Sequence, residues 1–352
     1  MTIPRRAHVL SLTIAAVVAV VGCSGGTLGS REPATPSSEP GGARTASPAP
    51  SIATRTAGPS AAPSAGPTAA GAPTPRIAAT ALPATGANSY DHIFLVVFEN
   101  RGYGQIVGRS AAPNFNRLIR RGTLTTAYKA ITHPSLPNYL ALIGGSTFGI
   151  RTDCSPSTCP VRATNLGSLL SAHGRTWKAY MDSMPSSCGS RNSGSYAVRH
   201  DPFVYFNNIR TTSLCGRVVP YSQLTTDLAT NATTPRFVFV TPNICHDMHD
   251  CSIATGDKWL GGFASKVMNS PAWTARRSLF IVTFDEDNGS YGNRIVTFAI
   301  GSPVRRSVAA GKRTSTAYNH YNLLRTIEYY LGVPTLGRKD SGRAVMTSVI
   351  PK

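Results

Sequence analysis

The sequence predicts an α/β sandwich with a largely parallel central sheet covered by helices on both faces. Three observations point that way. Short apolar runs of strand length alternate with helical stretches, the runs are continuous rather than alternating, and several end abruptly in polar residues. Continuous β-branched runs suit strands covered on both faces, and regular strand–helix alternation implies parallel pairing. Ligands of such sheets sit beyond the carboxyl ends of the strands.

In chain order, the strand candidates are His92–Phe98, ending at Glu99-Asn100; Arg236–Thr241, ending at Pro242-Asn243; Ser278–Phe284, ending at Asp285-Glu286-Asp287; and Arg294–Ile300, ending at Gly301. Helices are expected over Asn114–Arg121, Tyr139–Ile143, Asn165–His173, Lys258–Asn269 and Tyr321–Leu331. Gly122, Gly174 and Gly332 stand where three of them must stop. With 41% hydrophobic residues the chain has material for a real core. No apolar run reaches 18 residues, which excludes a polytopic membrane protein, and no 20–50-residue period indicates a solenoid or propeller.

Three regions are expected. Residues 1–23 read as an export signal: Arg5 and Arg6 precede the apolar run Val9–Val21, which is too short to span a bilayer comfortably. The run closes Val20-Val21-Gly22-Cys23, resembling a bacterial lipobox, so Cys23 is the expected lipidation site and membrane anchor; an ordinary cleaved signal is the alternative. Residues 24–88 hold 11 of the 26 prolines amid Ala, Ser, Thr and Gly, a composition that cannot bury enough apolar area to offset the entropy of ordering. They are expected to be a disordered spacer. Residues 89–352 form the globular domain. Setting Cys23 aside leaves six cysteines, Cys154, Cys159, Cys188, Cys215, Cys245 and Cys251, an even set that implies disulfides in an exported chain. Proximity favours 154–159, 188–215 and 245–251. No Cys-x-x-Cys pair suggests a zinc site.

The candidate chemistry gathers at strand ends and loops. If the strands ending at Glu99 and Asp285 are parallel neighbours, Glu99, Asp285 and Glu286 converge. Crowded carboxylates repel, and one divalent cation (Ca²⁺, Mg²⁺, Mn²⁺ or Zn²⁺) is the usual remedy. Solvated turn acids are the simpler alternative. In Thr132-His133-Pro134-Ser135-Leu136-Pro137-Asn138-Tyr139, two prolines fix the backbone around Ser135 near a helix N-terminus, where the dipole and free N–H groups can hold a phosphate. An N-cap serine explains the same residues. The loop Asn243–Cys251 packs His246, Asp247, His249 and Asp250 between two cysteines, for proton transfer, phosphoryl contact or a metal. His200 and His320 lie in further loops. No Gly-x-Ser-x-Gly elbow, P-loop, dinucleotide fingerprint or His-Glu-x-x-His is present.

Seven segments carry a family likeness in the family's order: Glu99-Asn100-Arg101, Thr132–Leu142, Tyr196–Phe203, Pro242–Ile253, Gly256–Leu260, Ile281–Asp287 and His320–Glu328. From about Asp91 to Pro334 the chain thus resembles the bacterial phosphoesterases that include acid phosphatase A and the non-haemolytic phospholipases C, within the alkaline phosphatase superfamily. The resemblance implies an alkaline-phosphatase-like fold and a metal held by Glu99, Asn100, Ser135, Asp285 and Glu286. Ser135 is then the metal-activated nucleophile, and His200 and His249 contact the phosphoryl group. His133, Asn138 and His320 are the accompanying substrate-binding candidates. Glu286 departs from members that carry a second aspartate, and the upstream histidine of the larger acid phosphatases has no counterpart here. The larger phospholipases also carry C-terminal β domains that this sequence does not contain, which favours a phosphatase.

The expectation is therefore an exported phosphomonoesterase acting on a phosphorylated small molecule or lipid. A phospholipase C-type phosphodiesterase is the first alternative, and a ligand-binding lipoprotein without turnover the second. The net charge of +19 invites a nucleic-acid reading, but export and scattered Arg and Lys argue against one. No obligate protein partner is expected.

Overall fold

The computed structural model describes residues 89–304 and 308–351. The expected export signal, Cys23 and the expected spacer lie outside the described residues. Eight strands form one sheet: β1 (His92–Phe98), β2 (Thr123–Thr125), β3 (Trp177–Met181), β4 (Val218–Pro220), β5 (Phe237–Thr241), β6 (Ser278–Phe284), β7 (Thr297–Gly301) and β8 (Lys312–Thr314). Their order is β4-β3-β5-β1-β6-β7-β2-β8. Every pairing is parallel except those of β7, which runs against both β6 and β2.

The central strands explain their own sequence. Every residue of β1, β5 and β6 is buried, as the continuous apolar runs require of strands covered on both faces. β1 and β6 pair along their full length, from His92–Ser278 to Phe98–Phe284, so the residues that follow both strands emerge side by side. On the face carrying Phe98 and Phe284, Phe115 and Trp259 pack against them edge-on or tilted, and Phe263 packs on Phe280. These contacts seat helices Pro113–Ile119 and Ile253–Met268. A second packed pair, Ser135–Gly144 with His320–Leu331, forms another helical layer.

Helix ends follow local chemistry. Asn165 and Asn319 cap their helices through side-chain acceptors, and Ser252 starts the Ile253–Met268 helix five residues earlier than the expected Lys258. Gly332 ends its helix at φ 66°, a conformation that favours glycine. The expected strand Arg294–Ile300 begins instead at Thr297, because Arg294 and Ile295 bridge outward to Lys129 and Gly102. β2, β3, β4 and β8 had no distinct apolar signature; three of them are only three residues long. The three disulfides are the sequence neighbours Cys154–Cys159, Cys188–Cys215 and Cys245–Cys251.

Candidate active site

Glu99 follows β1 and is fully buried. Ser135 opens the next long helix, and its Oγ donates to Glu99 Oε2 at 3.0 Å. One turn later on the same helix face, the Tyr139 hydroxyl donates to Glu99 Oε1. Asp285, following β6, accepts from the Asn100 backbone N–H at 3.2 Å. Asn100 itself sits at φ 48°, the left-handed region that non-glycine residues visit sparingly and often at functional sites. Glu286 turns the other way and accepts from Asn138 Nδ2 at 3.0 Å, with His133 Nδ1 3.2 Å from the same oxygen. Asn138 also closes the Ser135 turn, accepting from the Ile131 and Thr132 N–H groups and donating to Thr132 and Pro134 carbonyls. Its amide is therefore committed to the turn and to Glu286.

His200 lies beneath this group, its ring stacked on Tyr139 and its Nδ1 3.1 Å from Asp247 Oδ2. Its Nε2 stands 3.5 Å from Glu99 Oε1 and makes no hydrogen bond. His249 sits nearer the surface, 5.8 Å from His200 between ring centroids. Its Nδ1 lies against Asp250 and its Nε2 3.2 Å from Arg199 Nη2. The structure puts His320 in a different position from a substrate-binding one. The residue is fully buried, its Nε2 donates to the Asp285 carbonyl at 2.7 Å, and its Nδ1 accepts from the Tyr128 hydroxyl. With both nitrogens occupied, and with burial pulling its pKa down to about 4, it is a neutral prop for the end of β6.

Burial, then the charges of Asp285 and Asp247, push the Glu99 carboxyl well above the usual range. Burial raises Asp285 to about 7 and Asp247 to about 8; burial and the Asp285 charge raise Glu286 to about 9. Burial, with Arg199 and His249 nearby, holds His200 neutral. Asn100 Oδ1 and Asp285 Oδ2 are buried acceptors without a hydrogen-bond donor. Unpartnered oxygens beside crowded acids are the donor set a divalent cation satisfies. Glu99, Asn100, Ser135 and Asp285 fit such an ion. Glu99, His200 and Asp247, whose ligand atoms all lie within 4.8 Å of one another, form an overlapping set.

The helix N-terminus differs from the sequence expectation. The Leu136 N–H donates to Asp153 Oδ1 at 2.9 Å, and Pro137 has none, so few backbone donors remain for an anion. Asp153 carried no sequence signal. Tyr139 had one: it stands four residues after Ser135, the spacing that shares a helix face. Asp247 was one acid among several in its loop, and only the fold sets it beside His200.

Ser135 and the acids around it thus stand at the carboxyl edge of a largely parallel sheet, and the sequence comparisons give the family. Residues 108–334 match the Phosphoesterase family. Over 268 residues the chain is 40% identical to the phosphatidylinositol-3-phosphatase of Mycobacterium tuberculosis, covering 74% of this chain and 82% of that protein. Over 286 residues it is 30% identical to the phosphate-repressible acid phosphatase of Penicillium chrysogenum, covering 78% and 68%. The chain belongs to the phosphoesterase family. The lipoteichoic acid synthase LtaP of Listeria monocytogenes shares the fold, with a TM-score of 0.52 and 13% identity over 74% of this chain and 76% of that one.

Proposed function

We propose that this protein hydrolyses phosphate monoesters through Ser135. The observation that carries the reading is the Ser135 hydroxyl, buried and donating to Glu99 beside the unpartnered oxygens of Asn100 and Asp285. Glu99, held by Tyr139, orients the hydroxyl. Ser135 Oγ gives its proton to Glu99 and forms the new bond to phosphorus as the bond to the leaving oxygen breaks; the leaving oxygen takes a proton from water, and water then hydrolyses the phosphoserine, releasing phosphate and restoring the serine hydroxyl. His249, whose Nδ1 lies against Asp250 and whose Nε2 faces Arg199, is assigned the contact to the transferring group by the family resemblance. Asn138 and His133 steady Glu286 at the rim. Glu99, Asn100, Ser135 and Asp285 would hold a divalent cation, whose positive charge would lower the serine's proton affinity and offset the acids' mutual repulsion.

The name of one relative, the Mycobacterium tuberculosis phosphatidylinositol-3-phosphatase, extends the proposal to phosphoinositides as a substrate class. Three disulfides and the sequence of residues 1–23 support an extracytoplasmic enzyme anchored through Cys23. A Cys23→Ser variant should leave the membrane fraction, and its retention there would remove the anchor. The test of function offers purified protein p-nitrophenyl phosphate, phosphatidylinositol 3-phosphate and phosphatidylcholine. Free phosphate from the first two is expected, and Ser135→Ala should lose about 10³-fold or more of that activity while keeping its melting temperature. Diacylglycerol from phosphatidylcholine would make it a phosphodiesterase instead. Near-normal turnover by Ser135→Ala would remove the serine from the reaction.

A further inference from the structure

We infer that Arg199 binds the phosphoryl group of the substrate, with Asp153 holding it beside the nucleophile. The inference rests on the monoesterase reading and adds to it the residue that recognises the anion. Arg199 directly precedes His200 in the short turn Val198–His200, so its backbone is tied to a ring buried among the carboxylates. Its Nη2 donates to His249 Nε2 at 3.2 Å, and its Nε lies 3.8 Å from Asp153 Oδ2. The other Asp153 oxygen accepts the Leu136 N–H, one residue past Ser135. The guanidinium thus faces His249 directly and is linked through Asp153 to the start of the Ser135 helix.

Its bonding is incomplete for a half-buried cation. The Asp153 contact is too long for a hydrogen bond, an imidazole nitrogen carries no compensating charge, and Nη1 has no protein partner among the described residues. Arg101 shows the contrast: its Nη1 and Nη2 are taken up by the carbonyls of Asn100, Met248 and Cys251, which makes it a tie between loops. The site also needs a cation of this kind. A phosphoryl dianion must approach Glu99, Asp247 and Asp285, and the backbone donors at Leu136 and Pro137 are taken or missing. A planar guanidinium can give two parallel N–H groups to two phosphoryl oxygens, which a lysine ammonium cannot reproduce.

The experiment compares wild type, Arg199→Lys and Arg199→Ala, using p-nitrophenyl phosphate as substrate and inorganic phosphate as both inhibitor and calorimetric ligand. In Arg199→Ala, KM, the phosphate inhibition constant and the phosphate dissociation constant should rise together by about 10- to 100-fold, the worth of hydrogen bonds to a charged group. Arg199→Lys should recover only part of this, and it carries the test if the alanine variant fails to fold. Unchanged phosphate affinity in a folded variant, with kcat alone reduced, would overturn the inference and leave Arg199 a support for His249. Calorimetry separates the two readings: wild type that binds phosphate but turns over no ester would sink the monoesterase reading while leaving the Arg199 comparison valid.

Discussion

Ser135 sits among acids held above their ordinary ionisation range, Asp285 by burial and Glu99 by burial together with the charges of Asp285 and Asp247. That has a consequence for stability. A carboxyl that titrates near 4 in the unfolded chain but at about 7, 8 or 9 in the fold, as Asp285, Asp247 and Glu286 do, binds more protons folded than unfolded across that interval. Its favourable contribution is fully present below the unfolded value and is lost as pH rises through the folded one. The chelator-treated protein should therefore lose melting temperature steadily between about pH 5 and pH 9. A divalent cation favours the ionised acids, so its addition should raise the melting temperature more at pH 8 than at pH 5, and the same chelation should abolish turnover. A flat melting profile in chelator, or full activity in a preparation shown by elemental analysis to be metal-free, would contradict the cation reading.

The loop Asn243–Cys251 depends on more than its own sequence. It carries Asp247 against His200 and His249 against Arg199, yet Met248 within it stands at φ 83°, a conformation an L-residue adopts only when its surroundings require it. The Cys245–Cys251 disulfide closes the loop, and Arg101 donates to the Met248 and Cys251 carbonyls from the end of β1. Replacing both cysteines by alanine should cost about 2 kcal/mol of stability, the chain-entropy value for so short a loop. The Cys154–Cys159 bridge closes a loop of nearly the same length, so its removal serves as the control. Activity should fall further in the Cys245/Cys251 double variant than in the Cys154/Cys159 one; equal losses would mean that Arg101 alone shapes the loop.

At the scale of the whole domain, basic side chains outnumber acidic ones. Residues 89–352 carry 29 basic and 14 acidic side chains, an excess of positive charge around a site lined with acids. Such a field raises the encounter rate of anionic substrates and is screened over about 10 Å at 0.1 M salt. The value of kcat/KM for a multiply phosphorylated substrate should therefore fall as salt rises, and that for p-nitrophenyl phosphate should change much less. Equal salt dependence for the two would leave the surface charge without a part in substrate capture.

Much of this was legible in the linear chain because burial on both faces leaves a readable mark. The runs His92–Phe98 and Ser278–Phe284 are apolar throughout, and each stops where its strand leaves the core, so the acids at positions 99, 285 and 286 could be assigned to strand ends without coordinates. The two prolines around Ser135, the even set of cysteines and the glycine after Leu331 likewise state local geometry, since each acts through the backbone of its own neighbours. What the chain could not express is who meets whom. β1 lies between β5 and β6, β7 runs antiparallel, and the short β2, β3, β4 and β8 complete the sheet through pairings between segments far apart in sequence. The same holds at the site. Asp153, just before a disulfide-closed turn, reaches the start of the Ser135 helix, Asp247 meets His200, and His320 braces the Asp285 backbone. Local rules determine where a polar residue leaves a strand or caps a helix. Which buried charges then share one small volume is decided only when the sheet closes, because that energy belongs to pairs rather than to residues.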